Sequence, residues 1–156
     1  MIQLRSSDGR LFTADIKIVS MITLIKNLIE DLGSTNEPLV LPNVRGDILD
    51  LVIKYCDYHK DDVRLGEDDL FQDEYIVSAW DRAFMQMEDS TMLQVLNAAD
   101  YLGIELLVEL CCLSIAKIIR ELSVDEICLR YGIVDDFTDA QRTHVQALQA
   151  SVNRIQ

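Results

Sequence analysis

Residues 104–122 set the tightest limit on what this chain can fold into. Ile104, Leu107, Val108, Cys111, Ile115, Ile118, Ile119 and Leu122 recur at helical spacing along one stripe, and Leu106, Leu110 and Leu113 make a second. A helix that is apolar on two sides must be covered on two sides, so this segment is expected to sit centrally, with other elements packed around it.

The preceding residues supply those elements. Ile2 and Leu4 alternate with polar neighbours, Ser7-Asp8-Gly9-Arg10 carries turn chemistry, and Phe12, Ala14, Ile16 and Ile18 alternate again. That pattern predicts a β-hairpin. Met21, Ile25, Leu28 and Leu32 follow helical spacing, with Ser20 as N-cap and Gly33 beyond the end. Leu39-Val40-Leu41 reads as a short strand closed by Pro42, and Asp47 to Tyr58 as a helix burying Ile48, Val52, Tyr55 and Cys56. Trp80, Phe84 and Met87 suit a short helix, and Asp89-Ser90-Thr91 offers caps for another carrying Leu93, Leu96, Ala98 and Ala99. Ser123-x-x-Glu126 and Thr138-x-x-Gln141 are capping boxes ahead of two more helices. Short strands followed by helices imply an α+β fold.

Charge narrows the function classes. The net charge is −13, and residues 61–100 hold 2 basic against 11 acidic side chains. Such a balance opposes nucleic-acid binding and an anionic membrane surface. Residues 61–75, whose acidic side chains face only Arg64, are expected to form an exposed acidic loop. No basic stretch followed by an apolar run opens the chain, and none of the four cysteines forms a Cys-x-x-Cys pair. The expectation is an intracellular chain, cytoplasmic or nuclear, with four buried reduced thiols.

Catalysis finds no support in the residues. Asp68 and Asp69 lack an apolar wall to raise a pKa, Cys112 or Cys128 with His144 has no flanking nucleophile motif, and the six glycines make no phosphate loop. His59 and His144 have no neighbouring ligand set. No metal and no cofactor is expected.

The C-terminal segment raises a different question. Val145, Leu148, Val152 and Ile155 fall at intervals of three, four and three, a narrow a/d-like seam with Gln, Ser, Asn and Arg around it. Burying four such side chains is worth about 6–12 kcal/mol as an upper bound. Either the last helix folds back on the chain's own core or a partner covers it.

Seven short motifs occur in order: Ser6-Ser7-Asp8-Gly9, Glu30-Asp31-Leu32-Gly33, Leu41-Pro42-Asn43-Val44, His59-Lys60-Asp61-Asp62, Trp80-Asp81, Ala98-Ala99-Asp100-Tyr101-Leu102-x-Ile104 and Asp136-Phe137-Thr138. Together they resemble the S-phase-kinase-associated adaptor family of SCF ubiquitin ligases, from about residue 2 to about residue 145. The resemblance implies a BTB/POZ fold with a helical C-terminal extension: 1–60 and 77–122 as the two parts of the BTB/POZ unit, 61–76 as the acidic loop, and 123–156 as the extension. It implies a non-catalytic adaptor bridging an F-box protein to a cullin. The family's cullin-facing Asn-Tyr pair falls on Asp100 and Tyr101; an Asp there offers acceptors only, which weakens the contact if the partner presents a carbonyl or carboxylate. Ile127, Ile133, Phe137 and Val145 are the implied apolar contacts to the F-box protein.

The chain departs from the family at its end, where an acidic helix and a tryptophan-bearing tail give way to the uncharged seam, Trp80 being the single tryptophan. This implies a divergent member with a narrower set of F-box partners. A self-associating BTB scaffold or an elongin-C-like adaptor remains the alternative.

Overall fold

The computed structural model describes residues 1–32, 37–62, 77–134 and 136–152. Strand β1 (Ile2–Ser6) pairs antiparallel with β2 (Leu11–Ala14), Leu4 opposite Phe12, and parallel with β3 (Leu39–Leu41), Ser6 opposite Leu41. The sheet order is β2-β1-β3. Parallel pairing needs a crossover, which α1 (Ile16–Met21) and α2 (Thr23–Leu32) occupy.

The expected strand through Ile18 stops at Ala14 because Asp15 caps a helix there. Its side chain accepts from the N–H groups of Lys17 (2.8 Å) and Ile18 (3.0 Å). Ser20 is therefore no N-cap: its hydroxyl donates to the Lys17 carbonyl inside α1, and the chain breaks at Ile22 between the two helices. Gly33 lies outside the described residues.

Helix α3 (Gly46–His59) buries Ile48, Val52, Tyr55 and Cys56, the face read from the sequence, and Leu49 as well. Its start is organised by the first turn of the hairpin. Arg45 supplies no side-chain cap, but Asp8 Oδ1 accepts from the Gly46 N–H (2.9 Å) and the Ser6 hydroxyl (2.5 Å). These bonds, the Ser6 one foremost, hold the Asp8 carboxyl below its ordinary range. A Cβ at Gly46 would lie 2.5 Å from Arg10 Cδ, so a glycine lets the hairpin close over the helix end.

Helix α4 (Ala79–Phe84) ends before Met87, which lies outside it. Helix α5 (Asp89–Leu102) packs on α3 and α2 and buries Met92, Val95, Ala98, Ala99 and Leu102. Asp89 is already helical and Glu88 holds the cap position without a side-chain bond, so none of Asp89, Ser90 and Thr91 is the cap. Leu93 points outward.

Helix α6 (Glu105–Arg120) corrects the central expectation. Ile104, just before it, and Leu107, Leu110 and Cys111 within it are buried, whereas Leu106 and Leu113 are exposed. The central pair is α3 with α5. Nor are all four thiols buried: Cys56 and Cys111 are, Cys112 is exposed and Cys128 half-buried. Burial, with a smaller contribution from Cys112, pushes the Cys111 thiol up to about 12.

The chain divides into two compact units, Met1–Ala116 and Lys117–Gln156, the division falling within α6. The second unit contains α7 (Val124–Tyr131) and α8 (Asp139–Val152).

The turn from α5 into α6 depends on one residue. Gly103 has φ +70°, and its carbonyl accepts from the Thr23 hydroxyl at 2.9 Å. A Cβ there would meet Thr23 Cβ at 2.9 Å. Gly103→Ala is expected to lower stability by about 1–3 kcal/mol, read as a shifted denaturation midpoint at constant slope.

Candidate functional site

Asp100 and Tyr101 occupy the last turn of α5, Asp100 exposed and Tyr101 half-buried. The Gly103 turn brings that end of α5 against the start of α6, forming a shallow groove lined by Asp100, Gly103, Ile104, Glu105, Val108 and Glu109. Ile104 is almost wholly buried and Val108 half-buried, which gives the groove an apolar base. Every ionisable residue on its rim is acidic. Among the described residues no cation pairs with Asp100, Glu105 or Glu109. Glu105 and Glu109 were not singled out from the sequence, although their i, i+4 spacing beside Asp100 was there to be read.

The second unit is built by its caps. Ser123 N–H donates to Glu126 Oε2 (2.7 Å), while the Glu126 N–H reaches Ser123 Oγ (3.4 Å). The Ser123 hydroxyl, then its N–H, hold the Glu126 carboxyl below the ordinary value. Thr138 and Gln141 make the same reciprocal pair ahead of α8, at 2.9 and 3.4 Å. Gly132, with φ +63°, ends α7. Both expected capping boxes are present.

These caps set up an apolar surface with no interior among the described residues. No described residue of the second unit is buried. Ile127 is half-buried on α7, and Ile133, Phe137 and Val145 are 53%, 56% and 40% exposed. Val145, Leu148 and Val152 line one shallow depression on α8 with Gln149, so the a/d-like spacing does produce a continuous face. Ile155 lies outside the described residues. Ile127, Ile133 and Phe137 are not among the residues lining that depression. Leu129 and Val134 are still more exposed, and neither stood out in the sequence because each lies off the periodic stripe.

The acidic stretch is not uniformly unpartnered. Asp61 pairs with Lys17, and Asp62 Oδ2 lies 2.6 Å from His59 Nδ1; residues 63–76 lie outside the described residues. His59 Nε2 meets Asp81 Oδ1 at 2.9 Å, and Asp81 Oδ2 accepts from the Ser78 N–H at 3.0 Å in a capping box. Tyr55, Tyr58 and Trp80 surround the ring. This arrangement joins α3 to α4 and is structural.

Residues 1–61 match the model of the Skp1 family tetramerisation domain, and residues 105–148 that of the Skp1 family dimerisation domain. The SCF ubiquitin ligase subunit sconC of Arthroderma benhamiae is 34% identical over 148 residues, 93% of this chain and 90% of its own length. The chain belongs to the Skp1 family. Suppressor of kinetochore protein 1 of Schizosaccharomyces pombe is 34% identical over 149 residues, 93% of this chain and 92% of that one. SCF ubiquitin ligase complex protein SKP1a of Dictyostelium discoideum is 32% identical over 148 residues, 94% and 91% of the two chains. The small sheet with its helices is accordingly an α+β, POZ-type Skp1 fold with a helical C-terminal part. Ile127, Ile133, Phe137 and Val145 lie inside the second matched Skp1 segment, whereas Asp100 and Tyr101 lie between the two.

Proposed function

We propose that this chain is a non-catalytic adaptor subunit of an SCF-type ubiquitin ligase, holding an F-box protein on its second unit and a cullin at the α5–α6 corner. Membership of the Skp1 family along nearly the whole chain supports the role. The observation that carries the F-box half is the second unit itself: forty residues with exposed Ile133, Phe137, Val145, Leu148 and Val152 and no buried described residue. An apolar surface of that kind is covered by a partner in working proteins. Ile127, Ile133, Phe137 and Val145 are proposed F-box contacts, and Asp100 and Tyr101 cullin contacts. Such an adaptor works in the cytoplasm, the nucleus or both. A match to the second Skp1 family segment, over residues 105–148, favours this over an elongin-C-like role.

A second reading, self-association, rests on the description of that matched segment as a dimerisation domain. Light scattering on the full chain, alone and with an F-box domain and a cullin N-terminal domain, tests both. The adaptor role predicts a ternary complex with one copy of each. A tight dimer that neither partner alters would refute it and support the scaffold.

A further inference from the structure

We propose that the open face of the β2-β1-β3 sheet is a further docking surface, taking a helical segment of another polypeptide that presents a carboxylate between two apolar side chains. It is independent of the F-box and cullin contacts proposed above, none of which lies on the sheet.

The face follows from the alternation and the register. Leu4, Ser6, Ala14 and Leu41 are buried on one side, so Gln3, Arg5, Leu11, Thr13 and Val40 project from the other and are exposed. Arg5 stands directly opposite Leu11 on β2 and Val40 on β3, and Gln3 opposite Thr13. A sheet open on one side is ordinarily polar there. This one sets two aliphatic side chains, 61% and 51% exposed, on either side of a guanidinium. Among the described residues no hydrogen bond, ion pair or ring contact reaches the Arg5 side chain. The five residues include no carboxylate, although the whole chain has a net charge of −13. That local reversal of sign names the occupant. A carboxylate meeting Arg5 gains a charge-assisted, bidentate contact, while apolar neighbours gain burial on Leu11 and Val40. Strands about 4.8 Å apart place Leu11 and Val40 about 10 Å from each other, which matches two turns of a partner helix at about 5.4 Å each. A second copy suits the face poorly. The same surface turned on itself opposes Arg5 to Arg5 and brings one acidic molecule against another.

The test is selection of a displayed library of helical peptides on the full chain, followed by fluorescence anisotropy titration with the enriched peptides as synthetic probes. Peptides with Asp or Glu between two apolar residues are expected to be enriched, and to bind Arg5→Gln about tenfold more weakly than wild type. Arg5→Glu should lose them and accept the same peptides with Lys in place of the acid. Leu11→Thr combined with Val40→Thr keeps strand-forming residues and should also weaken binding about tenfold. All these positions are exposed, and thermal melts check that the variants fold as wild type does. Failure to enrich acidic peptides, or equal binding of them by wild type and every variant, overturns the proposal. A dimer of the full chain that the double threonine variant dissolves would give the face to a second copy and overturn it as well. F-box and cullin binding should be unaffected by Arg5→Gln; loss of either would assign the face to that partner and overturn its independence.

Discussion

Asp81→Ala is expected to cost the folded chain about 2–4 kcal/mol, the range for losing two hydrogen bonds to a buried carboxyl and leaving their partners unsatisfied. Asp81 is 2% exposed, and both of its oxygens are used: one meets His59 Nε2 at 2.9 Å, the other accepts from the Ser78 N–H at 3.0 Å. Alanine removes both contacts and leaves His59, itself packed among aromatic rings, facing a void. It also removes half of the cap on α4, worth about 0.5–2 kcal/mol by itself and not additive with the first loss. For a chain of this size the midpoint of thermal unfolding should fall by roughly 10 °C. Trp80 makes the measurement local, because the only tryptophan stacks on Tyr58 and Phe84 beside this pair. Asp62→Ala is the control. Its carboxylate holds the opposite nitrogen of the same ring from an exposed position and should cost about 1 kcal/mol or less. Equal losses from the two variants would show that burial and capping do not distinguish Asp81.

Phe137→Asp should lower F-box affinity by more than about 100-fold, the effect of removing an aromatic anchor and placing a charge in its pocket. The folded state should hardly notice. Phe137 is 56% exposed in a unit with no buried described residue, so the substitution destroys no core. Cullin binding should be unchanged, because the proposed cullin contacts, Asp100 and Tyr101, belong to the other unit. Binding of each partner is measured separately on the same preparation, with the melting temperature alongside. Loss of both partners together with a lowered melting temperature would mean that Phe137 supports the fold. Loss of neither would move the F-box surface elsewhere, with Leu129 and Val134 the next positions to test.

What could be read from the sequence follows the range of the forces involved. The hairpin, the short third strand, α3 and the two C-terminal capping boxes rest on alternation, spacing and side chains that bond within three residues, and these were legible. Asp15 shows how a competing local signal is missed. The alternation of Phe12, Ala14, Ile16 and Ile18 continues through it, yet its carboxylate takes two N–H groups and starts a helix. Ser78-x-x-Asp81 has the same form as Ser123-x-x-Glu126 and was equally readable. Long-range facts were not. That Leu106 and Leu113 face outward depends on which helices surround α6, and the pairing of Lys17 with Asp61 joins residues far apart in the chain. The groove combines both scales. Asp100 drew attention through resemblance, but its company with Glu105 and Glu109 arises only when the chain reverses at Gly103.

The capped helices after Lys117 have a bearing on how such a molecule changes over time. With no buried residue among those described, α7 and α8 are held at their starts by bonds made within three residues. Most outward positions there are then answerable to whatever docks on them and hardly at all to folding. A duplicated copy of this molecule is therefore free to exchange one clientele for another, side chain by side chain, while the sheet-bearing half stays under the stricter discipline of a close-packed core.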